Sequence, residues 1–119
     1  MYKGILMADE WTAENGYKTR GCVVDTYDFD NREDADFDSD QNFREWLCSP
    51  DGLDMVSKTV EDLRVIVASQ SMTDTLYTWC VVKAGRTTDN QIDQYEVWAS
   101  DCAAAVLRMR GDLDAGDQN

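Results

Sequence analysis

The chain has no histidine, few cations and no long apolar run, and each shortage closes off a class of chemistry. Without imidazole there are no Ser-His or Cys-His nucleophile pairs, no imidazole metal ligand and no use of the side chain that most often exchanges protons near neutral pH. Only 11 Lys and Arg stand against 24 Asp and Glu, a formal charge of −13 over 119 residues. Such a surface lacks the cations to neutralise a row of phosphates, so neither direct nucleic-acid binding nor binding to an anionic membrane is expected. No stretch reaches the roughly 18 apolar residues that span a bilayer, and residues 1–11 have neither the basic start nor the apolar centre of a signal peptide. A cytoplasmic location follows as the expectation. The four cysteines, at 22, 48, 80 and 102, lack the close spacing of a zinc knuckle or redox pair. Each has apolar neighbours, which reads as four buried free thiols. No Gly-rich loop joins a strand to a helix, so Lys83 and Arg86 around Gly85 form an ordinary basic turn rather than a phosphate cradle.

What is present is enough to fold. Hydrophobic residues make up 43% of the chain and include four Trp and five Tyr, too much apolar material for a disordered acidic tail. The length suits one globular domain, read as residues 1–111, followed by an acidic tail at 112–119 expected to fray. Ile5, Met7 and Trp11 share one parity, Asn15-Gly16 supplies a turn, and a second strand returns to Tyr27. Ser39 or Asp40 caps a helix that places Phe43, Trp46 and Leu47 on one face. Ser49-Pro50-Asp51 reads as the cap of another helix, with Leu53, Val56 and Val60 as its stripe. Residues 63–68, 75–84 and 91–98 are rich in β-branched and aromatic residues and read as a three-stranded meander. Ser100-Asp101 then opens a helix with Cys102, Val106 and Met109 on one side, ended by Gly111. The fold class expected is α+β: about five antiparallel strands with two or three helices packed on one face.

Charge is not spread evenly over that plan. Residues 1–24 balance, whereas 25–40 hold eight acids against Arg32, a local −7. The segment 28–40 reads as an acidic loop, because Asp competes for local backbone groups and suits neither helix nor strand. Asp34, Asp36, Asp38 and Asp40 recur with period two, as do Asp28 and Asp30. Extended, they would present carboxylates about 6.6 Å apart, close to two phosphate steps of a DNA strand. The candidate partner-binding residues are therefore Asp28, Asp30, Glu33, Asp34, Asp36, Asp38 and Asp40, with Phe37 as an apolar anchor to the domain or to a partner. Trp98, on the parity opposite Tyr95 and Val97, is the tryptophan expected to be most exposed.

In size, charge and compact α+β character the chain resembles the small acidic proteins with which phages and plasmids block host defences, the anti-CRISPR and anti-restriction DNA mimics. The resemblance covers composition and no motif. It implies a non-enzymatic inhibitor in the host cytoplasm that occupies the basic surface of a nucleic-acid-binding protein or nuclease complex. No cofactor is implied. Other readings stay open. Asp34, Asp36, Asp38, Asn42 and Glu45 have the 1, 3, 5, 9, 12 spacing of a calcium-binding loop, although Ser39 stands where the sharp turn calls for Gly. The segment also suits a generic acidic interaction module. A halophilic housekeeping domain agrees with the bias to Asp over Glu. Catalysis is not expected, because no two carboxylates are set apart in an apolar pocket.

Overall fold

In the computed structural model, which describes residues 1–85 and 87–111, alternation along the first strand sets the plan. β1 (Tyr2–Thr12) buries Gly4 and Leu6 while Ile5 and Met7 point to the opposite face. One edge of β1 pairs antiparallel along its whole length with β4 (Thr73–Lys83), from Tyr2↔Lys83 to Thr12↔Thr73. The other edge pairs with β3 (Cys22–Phe29) and, at Trp11↔Tyr17, with the two-residue β2 (Gly16–Tyr17). β5 (Asn90–Trp98) completes the antiparallel sheet against β4. The Asn15-Gly16 turn forms as expected, with Gly16 at φ 71°. The single returning strand is instead broken into β2 and β3.

The helices cover one face. Leu6, Trp79, Val81, Tyr95 and Val97 of the sheet meet Phe43 and Leu47 of α2 (Asp40–Cys48), Leu63 of α3 (Val60–Ala68) and Cys102, Ala103, Val106 and Leu107 of α4 (Ala99–Met109). All are buried, and burial of each large side chain contributes roughly 1.5–3 kcal/mol. Gly4 is required by this packing, because a Cβ there would fall inside the Trp79 indole. Ser39 caps α2 by accepting from the Asn42 N–H at 3.1 Å. The start of α4 is capped from a distance: the Asp74 carboxylate accepts from the Ser100 N–H at 3.1 Å and its hydroxyl at 2.5 Å.

Five expectations are corrected. Residues 63–68 lie in α3, not in a strand. Thr59 accepts from the Asp62 N–H at 3.1 Å and starts a helix before the β-branched run is reached. Leu63, Ile66 and Val67 then fall on the inner face at helical spacing, with Val65 left exposed. The helix expected from Pro50 does not form either: Asp54 adopts a left-handed φ of 55°, and only a 3₁₀ turn, Met55–Ser57, precedes α3. The acidic segment is not wholly loop, since Asn31 accepts from the Asp34 N–H at 3.1 Å and caps a single turn, α1 (Arg32–Ala35). Cys22 and Met109 are exposed, whereas Cys48, Cys80 and Cys102 are buried free thiols. Gly111 ends α4 at φ 74°, and the expected tail at 112–119 lies outside the described residues, as does Arg86 of the basic turn.

Candidate functional site

The acidic segment is held to the sheet at its centre. The Trp79 indole N–H, fully enclosed, donates to the Ala35 carbonyl at 2.8 Å, and Ala35 is itself buried. Phe37 follows, with its ring 5.0 Å from that of Trp79, 5.4 Å from Phe43 and 5.5 Å from Trp46. It therefore anchors the segment to the domain itself. Aromatic contacts at these separations add to the area buried and fix ring orientation.

Two of the predicted acids are tied down beside this anchor. Asp36, with a side chain only 12% exposed, accepts from the Tyr95 hydroxyl and from the Asp38 N–H at 2.9 Å, and it lies 3.6 Å from the Arg32 guanidinium. Burial pushes its pKa up, but the Tyr95, Asp38 and Arg32 donors outweigh that and hold the carboxyl below its ordinary range. The Tyr95 hydroxyl also faces Asp93 at 3.0 Å, so its single proton bonds one carboxylate at a time while Arg32 reaches both. Burial, then Asp36 and Asp93, raise the Tyr95 phenol far above its usual value. Asp40, the first residue of α2, turns back and accepts from the Glu96 N–H at 3.1 Å, closing part of the outer edge of β5.

The remaining predicted residues behave differently. Asp28 lies on β3, Asp30 follows it in a bend, Glu33 and Asp34 stand on α1, and Asp38 sits in a left-handed conformation at φ 68°. All five side chains are exposed, as is Asp25, and none forms an ion pair among the described residues. Asp28 is opposite Lys3, yet the Lys3 ammonium pairs with Asp89 at 3.5 Å. Asp25, Asp28, Asp30, Glu33 and Asp34 follow one margin of the molecule, from the outer edge of β3 onto α1, whereas Asp38 lies beyond it, between two residues that bond to β5. The β3 edge has no partner strand among the described residues and carries Val23 and Val24, both more than half exposed.

The regular row inferred from period two is not formed. The extended backbone stops at Phe29, a helical turn follows, and the left-handed Asp38 redirects the chain before α2. The calcium-type spacing is broken by the same geometry. Asp36 is engaged by Tyr95, the Asn42 amide donates to the Phe37 carbonyl at 2.9 Å, and Glu45 accepts from Gln41 at 3.3 Å. Among the described residues no three carboxylates or thiols are gathered to hold a metal ion.

Sequence reading missed Tyr95, Asp93 and Arg32 as the residues that position Asp36. Their only local signal is the Arg32–Asp36 spacing of four. Trp98 is half-buried on the helix-free face, edge-on to Trp11 at 6.5 Å and stacked with Tyr17 at 6.4 Å, while the Arg20 guanidinium lies 5.9 Å above Tyr17. Among the described residues no helix is long and apolar enough to cross a membrane. Comparison with protein-family models, with curated proteins and with solved structures finds no match to this chain.

Proposed function

We propose that this chain is a non-enzymatic acidic binding protein that inhibits a nucleic-acid-binding protein or nuclease complex, of the anti-CRISPR or anti-restriction kind, by occupying its basic nucleic-acid site. One observation carries this reading: Asp25, Asp28, Asp30, Glu33 and Asp34 stand exposed along one margin, without ion partners among the described residues, while residues 1–24 balance and residues 41–110 together carry only −3. Unneutralised like charges on a margin oppose folding and contribute nothing to the core, so their concentration is best accounted for by a cationic partner. The margin is also well supported. Phe37, the Trp79–Ala35 hydrogen bond and the Asp36–Tyr95 contact hold the backbone that carries it, which lowers the ordering cost of association.

In this mechanism the acids steer the encounter over about a Debye length and then replace the phosphates in contact with Lys and Arg of the partner. Exposed Val23 and Val24 add an apolar contact beside the charges. The test is capture of the partner from the source cell, followed by competition with nucleic acid. Charge reversal of Asp28, Asp30, Glu33 and Asp34 together should weaken capture by more than tenfold and flatten its salt dependence. Unchanged affinity and salt slope would remove this margin as the interface. A chain that folds only in molar salt would instead be a halophilic domain.

A further inference from the structure

A cleft away from the acidic margin has the opposite character. It opens between the end of α2, the turn that follows it and the last turns of α4, with a volume of about 600 Å³. Cys48, Val56, Val106 and Met109 supply a mostly apolar wall, and Arg44 and Arg108 flank it. The volume falls within the range of small-molecule sites, which are commonly apolar with a few converging polar groups.

The two arginines distinguish this cleft from an ordinary gap between helices. Acids outnumber cations two to one in this chain, yet neither Arg44 nor Arg108 forms an ion pair among the described residues. Nor are they needed as braces across the gap. Arg110 already does that work, donating to the Val56 carbonyl and to the Lys58 carbonyl at 2.7 Å. Two arginines with no hydrogen-bond or ion partner among the described residues, beside an apolar wall, complement a molecule with one anionic end and an apolar body; Glu45 is the one acid on this lining, and Arg44 also borders a second cleft with Asp40, Glu96 and Asp101. A dianion or a polymer would meet the excess negative charge of the rest of the chain.

We propose that the cleft between α2 and α4 binds a small amphipathic monoanion, its carboxylate or sulfonate held by Arg44 and Arg108 and its apolar body lying against Val56, Val106 and Met109. The inference is independent of the acidic margin and stands or falls without it.

The experiment uses the full chain and two probes, 1-anilinonaphthalene-8-sulfonate followed by fluorescence and decanoate followed by calorimetry. Both should bind one saturable site and displace each other, and decanol should bind at least tenfold more weakly than decanoate. Arg44→Gln and Arg108→Gln should each weaken decanoate several-fold and leave decanol unchanged. Ala105→Trp, placed on the half-buried rim, should remove both probes. If that variant loses its native circular dichroism, Met109→Glu gives the same test at a residue that is 74% exposed. Bound decanoate should also slow alkylation of Cys48 while exposed Cys22 reacts as before. Absence of saturable binding, or binding indifferent to the arginine and rim substitutions, would overturn the proposal.

Discussion

From Asp25 to Asp34 the acids stand in solvent, whereas between Ala35 and Asp40 two of the three are drawn into the fold, Asp36 under Tyr95 and Asp40 on the edge of β5, and Asp38 stays exposed. The side chains are chemically alike. What differs is the backbone beneath them: the first stretch runs along an outer strand edge and a single helical turn, and the second crosses the core under Trp79. Net charge therefore overstates the surface available to a partner. Of the local −7, part is structural, and only the outer acids are open to association.

Substitution separates the two stretches most sharply at Phe37. Phe37→Ala should cost about 3 kcal/mol, because it opens a gap among three aromatic rings, and lower the melting temperature by on the order of 10 °C in a calorimetric scan. Asp36→Ala should follow at about 2 kcal/mol, read from denaturant midpoints, since Tyr95 and Arg32 lose a shared acceptor. Asp40→Ala should cost about 1 kcal/mol by uncovering one N–H of β5, with faster amide exchange at Glu96 as the local sign. Neutralising Asp28, Asp30, Glu33 and Asp34 together should leave the melting temperature unchanged or slightly raised, because self-repulsion falls while no contact is lost. A large loss of stability there would erase the distinction between the two stretches.

Acidity adds a sharper test of the same contrast. The folded-state pKa of Asp36 is depressed, so its contribution to stability is complete above the unfolded carboxylate value of about 3.9 and is lost as pH falls through the lower folded value. Tyr95 works in the other direction. Its phenol is raised, so the stability it confers is complete below about pH 10 and declines above that. Unfolding midpoints measured across pH should drop at both ends, and Tyr95→Phe should flatten the alkaline limb while Asp36→Ala flattens the acid one.

Much of the fold was legible because its signals are local. Asn15-Gly16 marked the first turn, Ser39 the start of α2 and Gly111 the end of α4. α3 was misread because Val65, Ile66 and Val67 favour strands by intrinsic preference, while the Thr59 cap and the contacts of Leu63 decide for a helix. The candidate site was legible as a concentration of charge and not as a geometry. Asp36 meets a tyrosine 59 positions away and Asp40 an amide 56 positions away, so no spacing within the segment could sort structural acids from free ones. The remote Asp74 cap on α4 was hidden for the same reason.

The bond from Trp79 to Ala35 has a consequence for how the protein can change over time. The indole grips a main-chain carbonyl at the buried Ala35 and no side chain of the exposed residues, and Gly4 leaves room for the ring from the other side. Holding the segment in place thus asks little of the identities of its outer residues. Codons for 28, 30, 33 and 34 are free to drift, gain or shed charge, and track a changing partner, while selection on the hub falls on Gly4, Phe37 and Trp79. In diverging copies of this chain, variability should concentrate on the rim and stop abruptly at the residues beneath it.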